Sequence, residues 1–287
     1  MRRITTIVLV LMLVFSMGLF AGGQQEAEEG EYPGHPQDEP FKGAVDMGYV
    51  PFAFTDESGE VKGFAVDMAE ALAEELGRPG AEIEDVQWSG IFSALFTEKI
   101  ECIFAPTNIT EERAKEMDFT EGYMDAALIV LINSEDSDSI DSIEDLEGMV
   151  IGANTGSIAH KWLNDNQDKY GYEIDQYDRA PDAHQAVQVG RIDASIDDLA
   201  AGAEYAQDKD SLSTGDIIPT GEKYGIPFRK GDEYRAVVEE ALENIKEDGT
   251  LAEIHEKWFG TEPADDSPVV NPQPGIGEKG FEGYIEP

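Results

Sequence analysis

Few side chains of this sequence are spaced for covalent or metal chemistry. His35, His160, His184 and His255 are scattered, and none stands at metal-ligand spacing from another. Cys102 is the only cysteine. It cannot form an internal disulfide, and inside an apolar run it reads as a small core residue. There is no phosphate loop and no nucleophile elbow, so no metal or cofactor is expected. Asp136, Asp138 and Glu147 fall at positions 1, 3 and 12 of a calcium loop, but Ile140 and Asp141 occupy positions 5 and 6, where an oxygen ligand and a glycine are needed. What remains is a set of groups suited to holding a small polar molecule: Asp46, Tyr49, Phe52, Trp88, Asn108, Arg113, Ser157 and Asp198. Aromatics near acids, with one arginine, suit a zwitterion with a polar side chain.

The elements that position these groups follow from periodicity. Ile100 to Ala105 is an apolar, strand-like run, and the chain then turns into a helix with Thr110 as its N-cap and Glu111 and Glu112 in the first turn. Arg113 falls near the mouth of that turn. A strand end, free backbone N–H groups and a rigid cation together make a receptor for a carboxylate. The alternative is an exposed helical arginine paired with Glu112 or Glu116. Order is expected from Phe41, with a strand at Ala44–Asp46, a turn at Gly48–Pro51 and a hairpin turn at Asp56–Gly59. A helix follows on the Phe64, Met68, Leu72 and Leu76 stripe, and a second begins at Ser89. Each half then repeats one pattern: helix, Lys99-Ile-Glu101, strand; and helix, Arg191-Ile-Asp193, strand ending on Asp197-Asp198. Alternating strands and helices imply α/β layers, whose ligands lie beyond the carboxyl ends of the strands. Tyr224 to Phe228 is expected as one strand, and Thr250 to Glu253 as a capping box.

Composition bounds the setting. Arg2 and Arg3, an apolar run from Ile4 to Phe20 and Ala21-Gly-Gly23 have the order of a secretory signal, which predicts export to the periplasm without a lipid-attachment cysteine. The net charge is −41, or −41 − 2 = −43 once Arg2 and Arg3 are lost, which disfavours nucleic acid and anionic membrane as partners. Residues 24–40 read as a flexible acidic leader and 261–287 as a loose acidic tail rich in Pro and Gly.

From Ala44 to Gly260 the chain resembles the family 3 extracellular solute-binding proteins of ABC transporters, the polar-amino-acid receptors. The resemblance rests on Asp46-x-x-Tyr49-x-Pro-Phe52, Gly63-Phe-x-x-Asp67, Ile109-Thr-x-Glu-Arg113, Asp118-Phe, Ile143-Glu-Asp-Leu-x-Gly148, Arg191-Ile-Asp193 with Asp198, Asp248-Gly-Thr-Leu and Lys257-Trp-Phe-Gly260. It implies a periplasmic binding protein fold: two α/β lobes joined by two crossover strands, with the ligand cleft between them. Lobe I would comprise 41–127 and 222–260, and lobe II 128–221. It further implies that Arg113 holds a ligand carboxylate, with Asn108 where Ser or Thr is usual. Asp198 would take the ammonium, helped by the Pro106 carbonyl, while Ser157 closes from the second lobe. Tyr49, Phe52 and Trp88 would wall the ligand and Asp46 would meet its side chain. Ile158 stands where relatives have a hydroxyl or Gly, replacing a polar contact with an apolar wall. The implied role is a monomeric, non-catalytic receptor that delivers an amino acid or similar zwitterion to a membrane permease. A compatible-solute receptor for ectoine or betaine, a dehydratase of cyclic acids and a ligand-sensing partner of a receptor are the alternatives.

Overall fold

A computed structural model describes residues 32–137, 139–140, 142–207 and 209–272. The expected signal, the first part of the leader and the end of the tail lie outside them. In chain order the elements are β1 (Phe41–Val45), β2 (Phe54–Thr55), β3 (Val61–Lys62), α1 (Phe64–Glu75), β4 (Ala81–Asp85), α2 (Trp88–Phe96), β5 (Cys102–Ile103), β6 (Thr107–Asn108), α3 (Arg113–Glu116), β7 (Met117–Phe119) and β8 (Met124–Asn133). They continue with β9 (Val150–Asn154), α4 (Ile158–Tyr170), β10 (Glu173–Tyr177), α5 (Ala180–Gln188), β11 (Ala194–Asp198), α6 (Leu199–Gln207), β12 (Leu212–Gly225), β13 (Pro227–Arg229), α7 (Tyr234–Glu247) and α8 (Thr250–Phe259).

The strands divide into two lobes. A parallel sheet of order β4-β1-β5 carries the first, and a mixed sheet of order β10-β9-β11-β8-β12-β6 carries the second. Strands β8 and β12 are the two crossovers. Met124 and Ala126 of β8 pack in the first core while Leu128, Val130 and Ile132 pack in the second, and Tyr224 returns β12 to the first. Parallel strands joined by helices bury both faces, which is why β1, β5 and β9 are apolar runs with little alternation.

The repeated triplets have matching structural roles. Glu101 accepts a hydrogen bond from the Lys42 N–H at the start of β1 (3.0 Å), and Asp193 accepts one from Val150 N–H at the start of β9 (2.7 Å). In each lobe the acid satisfies the first free donor of the neighbouring parallel strand.

Several local expectations are corrected. Order begins before Phe41: His35 is only 2% exposed, stacked on Tyr234, and its ring nitrogens bond Glu101 and Asp232. Val269 of the expected loose tail is buried in the first core. Helix α2 is capped by Asp46, whose Oδ2 accepts from Trp88 N–H at 3.0 Å, and Ser89 lies inside the helix. The expected strand 224–228 breaks at Ile226, whose N–H goes to the Thr120 hydroxyl. Thr250 is a helix residue and forms no capping box, because Gly249 takes the left-handed conformation and Asp248 accepts the Thr250 N–H.

Candidate functional site

Nine of the ten residues singled out above line one cavity at the carboxyl ends of β1 and β11: Asp46, Tyr49, Phe52, Trp88, Pro106, Asn108, Ser157, Ile158 and Asp198. Arg113 does not. It lies in the adjoining groove with Phe92, Glu116 and Lys161, and Ser157 and Ile158 border both spaces.

Tyr49 and Phe52 are seated by the start of α1, where the Phe64 and Ala65 N–H groups donate to the carbonyls of Pro51 and Phe52 (both 2.9 Å). This contact requires Gly63. Its φ is +141°, and a Cβ there would stand 2.1 Å from the Phe52 carbonyl oxygen. Opposite, Ser157 caps α4 by accepting the His160 N–H at 3.1 Å, so the opening N–H groups of a 13-residue helix face the boundary between cavity and groove. Arg113 is held in turn by Thr110, whose hydroxyl accepts its N–H at 3.1 Å. The helix it begins is only four residues long. The Arg113 guanidinium donates to the carbonyls of Asn108 (3.1 Å) and, across the cleft, Gly156 (3.4 Å), and lies over the rings of Trp88 and Phe92. It is thus a stacked, cleft-spanning cation and not an arginine paired along the helix with Glu112 or Glu116. Asn108 is turned toward Glu222, to which its Nδ2 donates at 2.9 Å.

The electrostatics are dominated by acids. Tyr49 reaches from the first lobe to the second, its hydroxyl 2.8 Å from Asp197 Oδ1 and 3.1 Å from Asp198 Oδ2. Burial, with the neighbouring Asp197 carboxylate, pushes the Asp198 carboxyl up to about 7, against hydrogen bonds from Tyr49 and Tyr224. Burial likewise raises Asp46 and Glu222, and raises the Tyr49 phenol well above its ordinary value. Arg179 crosses from the second lobe to donate to the Met47 carbonyl (3.3 Å) and approach Asp46 (3.6 Å). At the wall, Asp46 Oδ1, Trp88 Nε1 and Arg179 Nε are shielded polar atoms with no hydrogen-bond partner among the described residues. The arrangement suits a small molecule bearing positive charge toward Asp198 and negative charge toward α4 and Arg113.

Sequence reasoning did not single out Arg179, Asn154 or Glu222, and placed Asp197 only at the end of a strand. Arg179 and Asn154 line the cavity. The signal of Arg179 and Glu222 is weak in sequence because Arg179 meets Met47 across 132 positions and Asn108 meets Glu222 across 114.

Comparison with known proteins places this geometry. The model of the bacterial extracellular solute-binding proteins, family 3, matches residues 41–261. The L-cystine-binding protein TcyJ of Escherichia coli (strain K12) is 33% identical over 217 residues, covering 75% of this chain and 80% of that protein. The structure of an ancestral arginine-binding protein bound to arginine matches with a TM-score of 0.74 at 33% identity, over 78% of this chain and all of that one. The ancestral amino acid-binding protein AncCDT-1, a precursor of cyclohexadienyl dehydratase, matches at 0.68 and 33%, over 75% of this chain and 93% of that one.

Proposed function

Because this chain belongs to the bacterial extracellular solute-binding proteins of family 3, we propose that it captures a polar amino acid between its two lobes and delivers it to the membrane permease of an ABC transporter. The observation that carries this reading is the polarity of the cleft. Carboxylates on β11 line the cavity, while Ser157 and the first turn of α4 stand where it meets the groove that holds Arg113. In this reading Asp198 and the Pro106 carbonyl hold the ammonium. Arg113, Asn108 and Ser157 lie on the carboxylate side, Ile158 supplies an apolar wall there, and Tyr49, Phe52, Trp88 and Asp46 surround the side chain. Arg113 must turn its remaining donors toward the cavity, a motion of one long side chain about a fixed stack. The amino acid and arginine specificities of the relatives support the ligand class. Exported as a monomer after loss of residues 1–23, the protein works by binding and releasing, without turnover.

A thermal-shift screen of residues 24–287 against the amino acids, ectoine and glycine betaine tests this. A cognate amino acid at a hundred times its dissociation constant adds about 2.7 kcal/mol, a shift of several degrees. Silence across the amino acids, with a response to ectoine or betaine, overturns it in favour of a compatible-solute receptor. One observation favours a second reading. AncCDT-1 is a precursor of an enzyme, and the Asp198 carboxyl, raised to about 7, has the pKa of a general acid. Ultraviolet absorbance of a cyclohexadienyl acid, unchanged on prolonged incubation, excludes that activity.

A further inference from the structure

The cavity carries more acid than a zwitterion needs. Asp46, Asp197 and Asp198 line it against the single guanidinium of Arg179. Arg179 leans on Asp46 at 3.6 Å, and the two adjacent carboxylates of β11 are met by Tyr49 at both, by Tyr224 at Asp198 and by His184 at Asp197.

Asp197 is also the end of a buried file. Its Oδ2 lies 2.8 Å from His184 Nε2, and His184 Nδ1 lies 3.0 Å from the Ser195 hydroxyl. Asp197 is 4% exposed, His184 is 2% exposed and Ser195 is fully buried. With Asp197 ionised, His184 donates from Nε2 and accepts the Ser195 hydroxyl at Nδ1, so every group in the file is satisfied with the imidazole neutral. The file therefore fixes the rotamer of Asp197. Ser195 is fully buried within β11, which rules out a nucleophile and leaves a support.

We propose that Asp197 is a specificity-determining residue that receives a positive charge on the ligand beyond its α-ammonium, and that His184 and Ser195 are positioning residues for it. The substrate class is an amino acid with a second cationic group: a guanidinium, a side-chain ammonium or a second α-ammonium. This deepens the amino-acid reading and rests on it. The physical cause is desolvation. Asp197 and Asp198 belong to the second lobe and Tyr49 to the first, so closing the lobes withdraws both carboxylates from water together. One α-ammonium offsets one of them, and a buried charge without a partner is strongly unfavourable. A second cationic group completes the match, so closure itself discriminates by ligand charge.

The experiment is isothermal titration of the secreted protein with L-arginine, L-lysine and L-cystine, and with the neutral L-citrulline and L-glutamine, for the wild type and for Asp197→Asn. The wild type is expected to bind at least one doubly cationic ligand tenfold or more tightly than citrulline or glutamine. Asp197→Asn is expected to weaken that ligand at least tenfold and the neutral ones less than threefold. His184→Leu should lower the same preference, and His184→Gln, which keeps an N–H donor, should restore most of it. A merely structural histidine would change both ligand classes alike. If Asp197→Asn does not fold, Ser195→Ala reads the same ratio, with a two- to fivefold fall expected. An unchanged ratio, or a wild type that prefers neutral amino acids, overturns this inference and leaves the amino-acid receptor standing. Binding of no amino acid overturns that receptor and this inference together.

Discussion

Acids gather at the amino ends of the first lobe's strands and, in the cleft, at the carboxyl ends of strands from both lobes, and the two places treat them differently. At the amino ends, Glu101 and Asp232 are met by full sets of donors. Arg78 forks onto Glu101 at 2.8 and 2.9 Å while also donating to the carbonyls of Glu39 and Pro40. His35 bridges both acids, and Arg229 reaches Asp232 at 3.0 Å. At the carboxyl ends, the acids of the cleft outnumber their cations, and Asp198 is pushed up where Glu101 and Asp232 are lowered by their hydrogen bonds against the effect of burial. A saturated ion cluster holds structure together, whereas an unsaturated one stores a preference for something that arrives from outside.

Breaking the saturated end gives the largest expected effect. Arg78→Ala leaves Glu101 buried without its main partner and releases residues 39–40. It should cost about 3–5 kcal/mol in urea unfolding, with ligand affinity unchanged once the protein is folded. A loss under about 1 kcal/mol would mean that water replaces the guanidinium and that the two ends do not differ as described.

The unsaturated end should respond with opposite signs in two measurements. Asp198→Asn is expected to weaken amino acid binding by about 1.5–3 kcal/mol, roughly 10- to 150-fold, while raising the melting temperature of the ligand-free protein at pH 8. Weaker binding together with lower ligand-free stability would class Asp198 with the structural acids.

Titration sharpens the contrast. In the folded protein Asp198 holds its proton to about pH 7, whereas an unfolded aspartate releases it near pH 4. The native state therefore binds more protons between those values, and stability must fall as pH rises through that window. His35 behaves as a base stabilised by partners. Burial alone would lower it, but its bonds to Asp232 and Glu101 raise it. Its contribution is complete below the ordinary histidine range near pH 6.5 and is lost as pH rises through the raised folded value. Melting curves from pH 4 to 9 should flatten between about pH 4 and 7 in Asp198→Asn and above about pH 6.5 in His35→Gln. Identical profiles for both variants would contradict the separation of the two clusters. The smallest effect belongs to Tyr49→Phe, which removes the hydroxyl shared across the cleft by Asp197 and Asp198 and should weaken binding by about 1 kcal/mol, read by titration.

How much was legible in the chain depended on distance along it. The Asp46 to Phe52 loop is punctuated locally by Gly and Pro after an apolar run, and the end of β11 by the repeated pattern of helix, basic-Ile-acidic triplet and strand, so their places at strand ends could be read directly. Ser157 caps α4 as its type and position imply. The cap of α2 could not be read in this way. Ser89 has the right type, yet Asp46, 42 positions earlier, takes the Trp88 N–H once β1 and α2 are packed. His35 fell in a polar, aperiodic stretch with no local partner, and its two acids are 66 and 197 positions away.

Alternating apolar segments and their repeated pattern determined α/β layers and the location of a cleft at strand ends, because backbone hydrogen bonding and burial act within each segment, whereas the two crossovers were implied by the family resemblance. Tertiary structure alone decided which charges meet. It placed Arg113 in the groove beside the cavity, brought Arg179 across to Asp46, and set His184 behind Asp197 with Tyr49 in front. Coulomb interaction and desolvation depend on separation in space and on exclusion of water, and neither quantity exists until the lobes have folded and closed.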